Sequence, residues 1–96
     1  MLVLVCYDVN TETAAGRRRL RRVAKVCEST GQRVLSSVFA CLVDVAKFEQ
    51  LERQLLAEID PAQDCLRFYR IPETRGFEVV EYGQFKAVDF DGPLVL

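Results

Sequence analysis

Residues 2–7 constrain this chain most. Leu2, Val3, Leu4, Val5, Cys6 and Tyr7 form an unbroken apolar run that Asp8 ends. Successive side chains of a strand point to opposite faces, so a strand apolar at every position is buried on both. Such a strand belongs in the middle of a sheet within an α/β layer arrangement. Asn10 and Thr11 follow Asp8 as loop and cap residues.

The next segment has a helical period. Leu20, Val23, Ala24 and Cys27 recur at i, i+3, i+4 and i+7, which predicts a helix over residues 13–29 with one apolar stripe. Gly31 is expected to stop it as a C-cap. Arg18, Arg22 and Lys25 fall on the opposite face, and Arg17, Arg19 and Arg21 flank the stripe.

Residues 33–43 are rich in strand formers with Ser36 and Ser37 in their middle. This predicts two strands with a tight turn or bulge at the serines, or one strongly bent strand. Asp44 is a good N-cap for a second helix, 45–59, which carries Phe48, Leu51, Leu55 and Ile59 on one face. Asp60 and Pro61 end that helix. Residues 65–71 read as a strand with Arg67 and Arg70 on opposite faces, 72–76 as a turn, and 77–85 as a last strand or strand pair. Leu94, Val95 and Leu96 close the tail, and three aliphatic residues there are expected to pack on something such as a partner chain.

The order β-α-β-β-α-β plus an extra C-terminal strand defines an α+β ferredoxin-like sandwich: an antiparallel sheet with both helices on one face. One domain is expected over residues 1–96. The other sheet face would be bare, yet the strands are apolar, so a second subunit packed face to face is the simplest cover.

Composition removes several chemistries. The chain has no histidine, so Ser-His-Asp triads, Cys-His dyads and paired-histidine nuclease chemistry are excluded. A hydrolase built on this chain needs a carboxylate–metal mechanism or an unusual base. Cys6, Cys27, Cys41 and Cys65 form no CxxC pair and lie in apolar segments, so they read as reduced core thiols rather than a zinc site. No apolar run approaches the ~18 residues of a membrane span. No basic stretch precedes residues 2–7, so a signal peptide is not expected and the expected compartment is the cytoplasm.

Net charge is −1, but residues 1–39 hold seven basic residues against three acidic ones. Six of the nine residues 17–25 are Arg or Lys. Their repulsion is largely uncompensated, which favours a polyanionic partner over a merely solvated helix face. Arginine forks match phosphate oxygens. Asp8, at the carboxyl end of the first strand, is either a loop cap or a ligand for a divalent cation. A two-fold dimer would bring two copies of it together. Tyr7 reads as core or as a stacking surface. Arg33, Ser37 and Phe39 are expected on one strand face, with Phe39 either exposed beside Asp8 or buried.

Leu4-Val5-Cys6-Tyr7-Asp8-Val9, then the arginine-rich helix, then Gly31-Gln32-Arg33-Val34-Leu35-Ser36-Ser37-Val38-Phe39 occur in this order in a chain of 96 residues. This combination resembles the CRISPR-associated Cas-two family, the small partner of the CRISPR integrase. The resemblance implies a ferredoxin-like homodimer with packed sheets, the C-terminal segment from about residue 77 to 96 crossing to the partner. It implies Mg²⁺ or Mn²⁺ bridged by Asp8 of both subunits, with catalytic roles at Asp8, Tyr7, Arg33 and Phe39. Nucleic-acid contacts would come from Arg17, Arg18, Arg19, Arg21, Arg22 and Lys25. The implied functions are endonuclease action on single-stranded RNA or duplex DNA, and a bridge between integrase dimers that holds DNA during spacer acquisition. Leu35, where a polar residue is common, and Ala40, where an acidic one often follows the Phe, depart from the family pattern. On the fold alone, a ligand-sensing or toxin-type module unrelated to CRISPR stays open.

Overall fold

The apolar run forms a strand, β1 (Leu2–Asp8), with a neighbour on either side in a computed structural model that describes residues 1–83. Residues 84–96 lie outside the described residues, and with them the expectation for the tail. The other elements are α1 (Ala14–Glu28), β2 (Gln32–Leu35), β3 (Val38–Leu42), α2 (Val45–Glu58) and β4 (Cys65–Ile71). The sheet order is β2-β3-β1-β4 and every pairing is antiparallel. This is the ferredoxin-like arrangement that the element order implied.

Strand alternation divides the side chains of β1 between two environments. Val3, Val5 and Tyr7 join Phe39 and Cys41 of β3 beneath Val23 and Cys27 of α1 and Phe48, Leu51 and Leu55 of α2. Leu2 and Ala40 form a second, smaller cluster with Leu4, Val34, Ile71 and Phe77 on the opposite face. No helix covers that second face among the described residues.

The helix ends follow their sequence signals. Thr13 caps α1 by accepting a hydrogen bond from the Gly16 amide at 3.1 Å, and Asp44 caps α2 through the Lys47 amide at 2.7 Å. Gly31 works differently from the expectation. It takes no left-handed conformation, since positive φ occurs among the described residues at Gly76 and Gly83. Its small size is what matters: a Cβ at Gly31 would collide with the Ala40 carbonyl and Cys41 Sγ, where the end of α1 passes over β3.

Ser36 and Ser37 form a two-residue turn, so residues 33–43 become a hairpin, with a register shift between Arg33 and Leu35. Arg33 and Phe39 therefore share a face as cross-strand partners, not as alternate residues of one strand. The strand expected over 77–85 does not form across residues 77–83. These residues pair with neither edge strand, β2 or β4. Phe77, Val79 and Val80 instead lie over the open sheet face, lining an apolar groove of about 430 Å³ with Leu4, Val34 and Val38.

Candidate metal carboxylate and basic helix

Asp8 closes β1 and is exposed. By alternation it points to the same side as Leu2, Leu4 and Cys6, the face away from the helices. Cys65, the first residue of β4, is its cross-strand partner. Asp8 and Cys65 share a shallow depression of about 200 Å³ with Cys6, Arg67 and Tyr69. Among the described residues Asp8 forms no ion pair.

The cation of this depression is Arg67, which the sequence marks only by its place on a strand face. It donates to the Tyr69 hydroxyl at 3.0 Å and lies 5.9 Å from that ring's centroid. Arg67 and Tyr69 stand two residues apart on one strand, and Arg67 pairs with Cys6, two residues before Asp8. That register was the missing signal: it depends on how β4 aligns with β1, which the sequence leaves open. Burial pushes the Cys6 thiol up, and the nearby Arg67 charge opposes that rise.

Of the four residues expected to act together, Tyr7, Arg33 and Phe39 gather on the helix side of the sheet while Asp8 points to the open face, and Tyr7 also borders the Asp8 depression. Tyr7 and Phe39 are buried under the helices, their ring centroids 6.3 Å apart. Phe39 is 0% exposed, so of the two placements open to it the buried one holds, and it does not stand exposed beside Asp8. Tyr7 is adjacent to Asp8 in sequence and for that reason faces the other way. Burial raises its phenol above the ordinary value, against the lowering influence of Arg33. Arg33 covers Phe39, its guanidinium 4.8 Å from the ring centroid. It also pairs with Glu28 at 3.0 Å and donates to the Ser36 carbonyl.

On α1, Arg17, Arg18, Arg21, Arg22 and Lys25 are exposed. Arg17 donates to the Thr11 carbonyl at 3.1 Å. Arg19 departs from the group. Its Nε donates to Asp64 Oδ2 at 2.8 Å and its second nitrogen to Oδ1 at 3.3 Å, with the Asp64 side chain fully buried. The helical period held this signal, since Arg19 stands three residues after buried Gly16 and four before buried Val23.

A ferredoxin-like sheet with an exposed carboxylate on its open face, followed by an arginine-studded helix, defines a small α+β protein with a strongly cationic helix surface. The family can be given more closely. The family described as CRISPR associated protein Cas2 matches residues 1–79, and the chain belongs to it. A Moorella thermoacetica protein named CRISPR-associated endoribonuclease Cas2 1 is 53% identical over 96 residues, covering all of both chains. A Halalkalibacterium halodurans protein named CRISPR-associated endonuclease Cas2 is 42% identical over 95 residues, covering 99% of each. The crystal structure of Streptococcus pyogenes Cas2 at pH 6.5 superposes with a TM-score of 0.71 at 49% identity, covering 84% of this chain and 100% of that one. Family membership sets aside the module unrelated to CRISPR. No helix among the described residues is long and apolar enough to cross a membrane.

Proposed function

We propose that this chain works in CRISPR adaptation as a cytoplasmic homodimer that holds duplex DNA and bridges integrase dimers. We further propose a metal-dependent endonuclease capacity centred on Asp8, acting on single-stranded RNA or duplex DNA. The observation that carries this reading is the placement of Asp8, an exposed carboxylate at the end of a buried strand and beside Arg67. The names of its relatives, endoribonuclease and endonuclease, agree with it.

The donor set decides what ion could be held. Among the described residues no three Cys, Asp or Glu side chains converge on one point. Asp64, across the β1–α1 loop, is committed to Arg19 and to backbone amides. One hard oxygen donor suits Mg²⁺ or Mn²⁺ only with further oxygens around it. The Asp8 of a second copy, together with phosphate oxygens, would complete the set. Held by the two Asp8 carboxylates, such an ion would supply Lewis acidity toward water and the scissile phosphate. Arg67 adds a fixed positive charge on the Asp8 face, and the exposed cations of α1 hold flanking phosphates. Tyr7 and Phe39 support the site from the core beneath it.

Dimerisation is supported by the open sheet face, where Leu35 is 48% exposed and Tyr69 47% exposed. Apolar surface of this kind favours a covering partner, and a second copy placed there brings the two Asp8 carboxylates toward a common axis.

The test uses end-labelled single-stranded RNA and duplex DNA with Mg²⁺, Mn²⁺ or EDTA. Wild type is expected to cut in the presence of metal and Asp8→Ala is expected not to. Because Asp8 is exposed, the variant should keep its stability to within about 0.5 kcal/mol. Full cutting by a folded Asp8→Ala protein would move the chemistry elsewhere. No cutting by wild type under any condition would remove the nuclease half and leave the DNA-holding role.

A further inference from the structure

Asp64 gathers more hydrogen bonds than its place in a loop requires. Its Oδ1 accepts from the Asn10 amide at 3.0 Å and its Oδ2 from the Asp60 amide at 2.8 Å. Arg19 of α1 donates to both oxygens. The side chain is fully buried and the carboxylate is surrounded by donors. A buried charge satisfied this completely is costly to disturb, because removing one partner leaves the other unpaired.

The residues joined at this knot frame Asp8. Asn10 lies two positions after it, with buried Val9 between. Asn10 is further held by its side-chain carbonyl, which accepts from the Glu12 amide at 2.9 Å, and by the start of α1, where a Cβ at Gly16 would strike the Asn10 carbonyl. On the other side, Asp64 directly precedes Cys65, the cross-strand partner of Asp8. One carboxylate thus ties the outgoing end of β1, the incoming end of β4 and the middle of the basic helix.

Resting on the Asp8-centred reading above, we propose that Asp64 is a positioning residue for Asp8. In this arrangement Arg19 serves Asp64 and does not touch nucleic acid. The pair sets the direction of the Asp8 carboxylate and links it to the helix whose other cations meet phosphate.

Arg19→Gln, Arg19→Lys and Asp64→Asn test this, with Arg22→Gln as the phosphate-contact control. Supporting groups around a metal ligand change activity by about 10–100-fold when removed. Arg19→Gln and Asp64→Asn should therefore lower kcat about 10-fold or more with KM nearly unchanged, and Arg19→Lys should recover part of the loss. In duplex-DNA titrations, Arg22→Gln should reduce the slope of log affinity against log salt by about 0.9. Arg19→Gln should leave that slope unchanged. An equal drop for Arg19→Gln would overturn the assignment, as would wild-type kcat in both Asp64→Asn and Arg19→Gln. Amide hydrogen exchange at Asn10 and Cys65 reads the same idea without catalysis. Faster exchange there in Arg19→Gln, with the centre of β1 unchanged, supports it. Unchanged exchange sinks the positioning role even if the wild type proves to cut nothing, which separates this failure from that of the nuclease reading.

Discussion

Arg33 and Phe39 face each other across the β2–β3 hairpin, the guanidinium 4.8 Å from the centroid of a ring that has no exposed surface. The two residues therefore contribute in different ways. Phe39 belongs to the core with Val3, Val5, Val23 and Leu55, and reaches the surface only through the cation lying over it. Phe39→Ala should cost about 3–5 kcal/mol, the usual loss for emptying a buried aromatic site. Arg33→Ala should cost about 1 kcal/mol or less, because its pair with Glu28 is exposed and screened. Urea unfolding of the three proteins checks this. An unshifted midpoint in Phe39→Ala would mean the ring is not the core element it is taken to be.

The exposed cations of α1 make a separate prediction. Arg18 and Arg22 sit one helical turn apart on the solvent side, and neither pairs with an acid among the described residues. Replacing both by Glu should weaken duplex-DNA binding for every sequence, because contacts to phosphate carry no base information. The salt slope should fall by about 0.9 for each lost contact. Filter binding across a salt series measures both effects. Affinity unchanged at physiological salt would take nucleic acid away from this helix.

Much of the fold was legible because hydrophobic period and caps agreed. The buried strand at 2–8, the helices after Thr13 and Asp44, and the strand at 65–71 each had an apolar pattern of the right period and a recognisable end. The site was less legible, for reasons of register. Tyr7 and Asp8 are neighbours in sequence, and strand alternation alone separates them, since knowing which of the two faces solvent requires knowing which face the helices cover. Phe39 was ambiguous because a strand broken by a hairpin turn resets the count from Arg33. Asp64 and Arg67 carry no local signal in the sequence for a third reason. Their partners, Arg19 and Cys6, lie 45 and 61 residues away in sequence, and only the closed sheet brings them together.

The cysteines should separate by reactivity. Burial pushes Cys27 up to about 12 and Cys41 up to about 11, so almost no thiolate forms at either near neutral pH. Cys65 is exposed at the start of β4. Iodoacetamide at pH 8 should modify Cys65 of the native protein first and reach Cys27 and Cys41 only after unfolding in urea. Peptide mass spectrometry reads the order. Early labelling of Cys27 would mean that α1 opens from the sheet far more readily than its packing implies.

Acid should act through Asp64. The hydrogen bonds from Arg19 hold its carboxyl below the ordinary aspartate range, and the amides of Asp60 and Asn10 lower it further against the opposing effect of burial. In the unfolded chain the group titrates near about 3.9. The native state thus binds the proton less tightly than the unfolded state. The stabilisation is fully present above the unfolded value and is lost as the pH falls through the lower native value. Asp64→Asn has no carboxyl to protonate there. The stability gap between wild type and Asp64→Asn should therefore be constant from about pH 7 to pH 5 and should narrow steadily on further acidification. Urea midpoints at a series of pH values give the gap directly. A gap that stays constant down to pH 3 would show that Asp64 titrates alike in both states, and that the Arg19 pair contributes nothing that protonation can remove.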